Sequence, residues 1–116
     1  MIAIMWQFDI KAGNEAEFER FCGAGGEWTA ANRHSRSFLG TSFLRGSPVE
    51  PHTSRYVVVE YWSEMVVHEQ RKNYRGDEIA RLGARRDELA ASCEPLGVFT
   101  ALDVPDRAGV AWSRRS

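Results

Sequence analysis

The feature that most constrains the fold is the run from Arg55 to Trp62, in which β-branched and aromatic residues follow one another with a single carboxylate among them. Such a run is typical of a central strand that is buried on both faces of a sheet. A chain of 116 residues has room for about one domain with few helices. These helices are expected to cover only one face of the sheet. We therefore expect a partner subunit on the other face.

Three further segments predict strands around this one. Residues 2–10 alternate between apolar and more polar side chains, as does the run at 37–45, and residues 96–103 form a short apolar segment. A loop rich in proline, residues 46–52, separates the second strand from the third.

Helical patterns fill the two remaining intervals. The first helix is predicted to begin after Asn14, with Glu17 completing a capping box, and to be split in two by the glycines at 23–26, with further turns over 27–33. The second is predicted from residue 64, with an interruption at 75–77 and a second part ending near Ser92, before Pro95. Its apolar stripe consists of Ile79, Leu82, Arg86, Leu89 and Cys93, among which only Arg86 is polar.

The resulting order, β-α-β-β-α-β, predicts an α+β fold of the ferredoxin-like type, with a four-stranded antiparallel sheet and its helices on one face. We expect one domain over residues 1–103 and a polar C-terminal tail over 104–116. A net charge of -1 without a long basic run argues against nucleic-acid binding, and no run approaches the length of a membrane span, so a cytoplasmic protein is expected. Cys22 and Cys93 are expected to be buried free thiols, since no metal-binding spacing accompanies them.

Several stretches occur together at a characteristic spacing: FDIKAG with EFE (8–13, 17–19), GEW (26–28), FLGT with LR (38–41, 44–45), RYVVVEYWS (55–63) and LGVF (96–99). As a set they resemble the antibiotic-biosynthesis-monooxygenase-like family of dimeric ferredoxin-like proteins, and within it a subgroup of uncharacterised bacterial members. The resemblance covers about residues 1 to 102. It implies a homodimeric α/β barrel joined through the open sheet faces, and in each subunit a small cavity between helices and sheet for a small-molecule ligand.

The resemblance also implies oxygenation without a cofactor, metal or flavin, on a small aromatic or polyketide-like compound that supplies its own electrons. Such chemistry needs an apolar cavity, a group that accepts or guides a proton, and donors for a developing oxyanion. Glu60, which interrupts the apolar third strand, is the leading candidate for the general base. His68 on the second helix is the other candidate acid or base, because an imidazole titrates near neutrality.

The predicted walls of the cavity are mostly aromatic. Trp6 lies on the apolar face of the first strand, Trp28 lies in the turn after the first helix where a lid is expected, and Trp62 ends the third strand. Asn32, one helical turn after Trp28, stands where an aromatic residue is usual in the subgroup and is a candidate donor; Tyr74 completes the predicted set.

Two other functions remain open on the same residues. In a ligand-binding or structural dimer without catalysis, the side chains of Trp28, His68 and Tyr74 fill the cavity, and in an isomerase or cyclase the same base acts without oxygen. A haem oxygenase is disfavoured, because haem-degrading relatives carry an Asn where Trp6 stands and a Trp on the second helix, which has none here.

Overall fold

The structure, a computed structural model, describes residues 1–47 and 53–103, except for the side chains of residues 66–75. Its elements, in chain order, are β1 (Ile2–Lys11), α1 (Glu15–Cys22), α2 (Glu27–Asn32), β2 (Phe38–Arg45), β3 (Thr53–Trp62), α3 (Met65–Leu89) and β4 (Ala90–Thr100). The predicted tail at 104–116 and most of the predicted loop at 46–52 lie outside the described residues.

The four strands form one antiparallel sheet in the order β2-β3-β1-β4. The strand predicted to be central, β3, lies between β2 and β1, and its register places Glu60 opposite Ile4 of β1 and Thr41 of β2. The predicted ferredoxin-like fold is confirmed, with the helices on one face of the sheet.

That covered face carries the core. Phe8 and Ile10 of β1 and Tyr56 of β3 are almost fully buried beneath Phe18 of α1 and Leu82 of α3. Phe18 lies at the centre of an aromatic group, with ring centroids 5.2 Å from Phe8 and 5.0 Å from Tyr56. Burial of these rings fixes α1 and α3 against the sheet.

The opposite face carries the alternate residues of each strand. Near its centre Ala3 and Val59 are buried, whereas Leu44 on β2 and Phe99 on β4 are 55% and 48% exposed. These apolar residues belong to the face for which a partner subunit is predicted, and the dimer stays a prediction.

The predicted interruption of the second helix at 75–77 is wrong, because α3 runs without a break over 25 residues. A glycine inside a helix costs only about 1 kcal/mol relative to alanine. That cost at Gly76 is smaller than the gain from burying Ile79, Leu82 and Leu89 on the sheet. No described helix is both long enough and apolar enough to cross a membrane.

The predicted end of that helix is also wrong, because α3 stops at Leu89 and β4 begins at once with Ala90. Cys93 therefore lies on a strand and is exposed, not buried on a helix as expected. Pro95 lies within β4, opposite Trp6, where the register shifts. An edge strand accepts proline at such a bulge, since no hydrogen bond of the ladder is lost there.

Two local predictions are corrected as well. The predicted alternation over 37–45 is interrupted by a register shift between Phe38 and Gly40, and Phe38 lies on the helix-covered face, its ring 5.1 Å from that of Trp62. At the start of α1, Asn14 is the N-cap residue as expected, but the capping box does not form. Its side-chain amide donates to the carbonyl oxygen of Leu89, 3.2 Å away.

Candidate functional site

The candidate site is built around a carboxylate on the helix-covered face of β3. Even-numbered residues of this strand point toward the helices, and Glu60 is among them. Its relative exposure is 0%, although Glu is rarely buried without polar partners. The question for Glu60 is therefore which groups compensate for its removal from water.

Three N–H groups compensate for the removal of the Glu60 carboxylate from water. The indole Nε1 of Trp28 donates to Glu60 Oε2 at 2.7 Å, and the side-chain amide of Asn32 donates to the same oxygen at 3.1 Å. Trp62, two residues further along β3, donates from Nε1 to Oε1 at 3.3 Å. We call Glu60, Trp28, Asn32 and Trp62 the carboxylate cluster.

The chemistry of the donors fits an ionised carboxylate. An indole N–H can only donate, and an ionised carboxylate accepts at both of its oxygens. Glu60 was expected to act as the general base. Its partners in the structure are two indoles and an amide, and these are residues predicted to line the cavity.

Helix α2 brings two of these donors to the sheet. Trp28 and Asn32 are four residues apart, so they share one face of the helix, and both are buried. The N-cap residue Gly26 lies against the carbonyl oxygens of Arg20 and Phe21 with no room for a Cβ atom, so only glycine fits there. Thr29 donates its hydroxyl to the carbonyl oxygen of Cys22 at 3.1 Å, which also ties α2 to α1.

The sequence had placed Trp28 in the turn after the first helix, where a lid was expected. It lies instead within α2 and is 5% exposed, so in this conformation it is part of the core. The predicted division of the first helix into two pieces is confirmed, and this division is what allows α2 to meet the sheet at its own angle.

A cation lies on the other side of Trp28. The guanidinium carbon of Arg86, on α3, is 4.7 Å from the centroid of the Trp28 ring and 5.3 Å from that of Phe8. Only 15% of the Arg86 side chain is exposed, and its Nε donates to Asp87 Oδ1 at 3.2 Å. The predicted stripe of α3 explains the position of Arg86, but the stripe did not predict the contact with Trp28.

Cys22 lies close enough to this site to respond to its charges. Burial raises the pKa of Cys22 to about 12, the positive charge of Arg86 acts to lower it, and the negative charge of Glu60 acts to raise it. The thiol is buried and stays protonated at neutral pH, as an unreactive core cysteine does.

The remaining predicted residues are divided between core and undescribed positions. Trp6 is partly buried against the core, opposite Val58 on the same sheet face as Glu60. The backbones of His68 and Tyr74 belong to α3, but their side chains lie outside the described part of the structure. The structure thus brings together Glu60, Trp28, Asn32 and Trp62 of the predicted set.

Among the residues that the structure describes, no group of three His, Cys, Asp or Glu side chains is arranged to hold a metal ion.

No family model and no curated protein sequence matches the chain. Solved structures do match. SnoaB, a cofactor-independent oxygenase from Streptomyces nogalater, superposes with a TM-score of 0.68 at 18% sequence identity, over 91% of this chain and 97% of its own. A variant of MhuD with two manganese protoporphyrin IX molecules bound per active site has a TM-score of 0.65 at 26% identity, over 91% and 100%.

A candidate antibiotic biosynthesis monooxygenase from Bacillus cereus superposes less closely, with a TM-score of 0.55 at 15% identity, over 91% of this chain and 97% of its own. The three proteins share an architecture with this chain, while the low identities to SnoaB and to the Bacillus cereus protein carry no information about substrate. The resemblance expected from the sequence is confirmed in its architecture: the chain has the ferredoxin-like fold of the antibiotic-biosynthesis-monooxygenase-like proteins.

Proposed function

We propose that this protein is a homodimeric, cofactor-independent monooxygenase that acts on a small aromatic or polyketide-like compound, with Glu60 as the group that accepts the substrate proton. The observation that carries the proposal is the fully buried Glu60 carboxylate, held by three N–H donors on the sheet face that also carries Trp6. A carboxylate kept ready in an apolar surrounding, with donors beside it, supplies two of the three requirements of such a reaction.

The proposed reaction needs no electrons from the protein. Glu60 takes a proton from an activated CH₂ or phenolic group, and the resulting anion transfers an electron to O₂. The two radicals combine with formation of a C–O bond, and the peroxide then loses water. A CH₂ group and O₂ thus become C=O and H₂O, so the substrate is the only reductant and O₂ the only oxidant.

Substrate reaches Glu60 only after the side chains that cover it have moved, because its exposure is 0%. Helix α2 is suited to this movement, since it has only six residues and follows three glycines within residues 23–26. A shift of α2 would withdraw Trp28 and Asn32 from Oε2 together. The N–H groups so released are the donors that a developing oxyanion requires.

The structural neighbours support the proposal to different degrees. SnoaB has the same fold and is described as a cofactor-independent oxygenase. The MhuD variant favours a second candidate, binding of a porphyrin in the predicted cavity. Against that candidate, Trp6 stands where haem-degrading relatives carry an Asn, and the sequence of α3 contains no Trp.

The test is oxygen uptake by the purified, metal-stripped full chain with a panel of anthrones, naphthols and hydroquinones. We expect uptake above the rate of autoxidation for at least one compound. Glu60→Gln should reduce that uptake by about 100-fold or more, as removal of a general base does. Glu27→Gln is the matched control, since Glu27 is exposed on the same helix as Trp28 and its loss should leave uptake unchanged.

Each other outcome points to a different function. Wild-type activity in a folded Glu60→Gln protein would remove Glu60 from the role of base. Loss of substrate without oxygen uptake would identify an isomerase or cyclase. No reaction across the panel, together with saturable haem binding in a spectroscopic titration, would favour the porphyrin-binding candidate.

A further inference from the structure

Arg86 is unusual among the residues that cover the sheet. It occupies a position in the apolar stripe of α3, between Leu82 and Leu89, where an aliphatic residue would pack without carrying a charge into the core. Its guanidinium lies over the rings of Trp28 and Phe8, at 4.7 Å and 5.3 Å from their centroids. Both distances are within the range of a cation–π interaction, which strengthens as the cation loses contact with water.

The face of Trp28 is therefore occupied by a cation while its edge is bonded to an anion. The ring contacts Arg86, and its Nε1 donates to Glu60 Oε2 at 2.7 Å, which is shorter than the bonds from Asn32 and Trp62. A positive charge above an indole withdraws electron density from the ring and makes its N–H a stronger donor. The same contact restricts rotation of the ring, so the N–H stays directed at the carboxylate.

We propose that Arg86 is a positioning residue that acts on Glu60 through Trp28. Its cation strengthens and orients the Trp28 N–H bond and so keeps α2 closed over the carboxylate. Asp87 partners the exposed side of the guanidinium, at 3.2 Å, and leaves the face of the cation to the two rings. The inference rests on the proposed function for its catalytic meaning, but the interaction itself is measurable without turnover.

The experiment follows the indole N–H signals of the ¹⁵N-labelled full chain by nuclear magnetic resonance, assigned by single Trp→Phe variants. Arg86→Met keeps an unbranched apolar stem and removes the charged guanidinium. We expect it to accelerate exchange of the Trp28 N–H with water by at least about 5-fold and to shift its signal upfield. Arg86→Lys keeps a cation, so both the exchange rate and the signal position of the Trp28 N–H should stay close to those of wild type.

Two controls separate this role from packing. The Trp62 N–H binds the other oxygen of the same carboxylate, at 3.3 Å, so its signal should stay near its wild-type position in every Arg86 variant. Arg85→Met removes a neighbouring cation on α3 that pairs with Glu17 and Glu88, and it should leave Trp28 unchanged.

The proposal is overturned if the Trp28 signal is the same in Arg86→Met as in wild type, or if Arg86→Lys and Arg86→Met change it equally. It is also overturned if Arg86→Met and Arg86→Gln both fail to fold while Arg86→Lys folds with a Trp28 signal unlike wild type, since Arg86 would then be a structural residue. None of these results depends on oxygen uptake. A failure of this inference is therefore distinct from a failure of the proposed function.

Discussion

Replacement of Asn32 by aspartate tests the carboxylate cluster with almost no change of shape. Asn32 is 1% exposed, and its amide nitrogen lies 3.1 Å from Glu60 Oε2. Asn32→Asp exchanges this donor for a second carboxyl group at the same distance. Either two negative charges then face each other in the core, or the new carboxyl group holds a proton and donates it to Glu60.

The magnitudes decide between these two states. Two unit charges 3.1 Å apart repel by about 5 kcal/mol at an effective dielectric constant of about 20. Holding a proton at pH 7 on a carboxyl group with an ordinary pKa of about 3.9 costs about 4 kcal/mol, at about 1.4 kcal/mol per pH unit. The protonated state is cheaper, so we expect Asn32→Asp to lower the free energy of unfolding by about 4 kcal/mol at pH 7.

The expected pH dependence has a definite sign. Above about pH 4 the folded variant holds one more proton than its unfolded chain, so unfolding releases a proton and stability falls as the pH rises. The loss relative to wild type should therefore shrink by about 1.4 kcal/mol for each pH unit, from pH 7 down to about pH 4. Loss of any other contact of the Asn32 side chain adds an offset that does not change with pH.

The assay is urea unfolding of wild type and variant between pH 4 and 7, at one fixed protein concentration because the predicted dimerisation would contribute to apparent stability. Asn14→Asp is the matched control, because the Asn14 amide faces the carbonyl oxygen of Leu89 at the partly exposed start of α1. The difference in stability between Asn14→Asp and wild type should change by less than about 1 kcal/mol over the same pH range. A loss that is the same at every pH would refute the placement of Asn32 beside an ionised Glu60.

Two further predictions concern the open face and the cysteines. The protein should scatter light as a dimer at micromolar concentration. Phe99→Glu, a change on the open face of the sheet, should shift it toward the monomer. A monomeric wild type would contradict the prediction that a partner subunit covers this face. At pH 8 a thiol reagent should label the exposed Cys93 and spare the buried Cys22, whose pKa is raised to about 12, until denaturant is added. Two adducts on the native protein, counted by mass spectrometry, would show that Cys22 is accessible.

The prediction of the fold succeeded where hydrophobic periodicity and local chemistry agreed. The alternation of β1, the apolar run of β3 and the glycines that separate α1 from α2 each specify one local structure, and each was found where expected. The prediction was wrong where a local signal competed with packing. Gly76 did not interrupt α3, because burial of Ile79, Leu82 and Leu89 against the sheet outweighed the cost of a glycine inside a helix. Pro95 lies within β4 because an edge strand accepts proline at a bulge.

The candidate site was predictable in its residues and not in its contacts. Glu60 was noticed because it is the one carboxylate in an apolar strand, Trp28 because it is an aromatic residue where a lid was expected, and Asn32 because its spacing places it on the same helical face as Trp28. Nothing in the spacing indicated that both would donate to the same oxygen of Glu60. Trp28 and Glu60 are 32 residues apart, and their contact depends on the angle at which α2 meets the sheet.

The sequence by itself therefore determined the element order, the central strand and the buried faces of β1 and α1, because these follow from periodicities of two and 3.6 residues. Only the tertiary structure decided what lies on either side of Trp28. Arg86 comes from α3 and Glu60 from β3. Only when α2, α3 and the sheet have packed does the Arg86 cation contact the face of the Trp28 indole and the Glu60 carboxylate its N–H edge. Such contacts depend on the distances between elements, which no local pattern encodes.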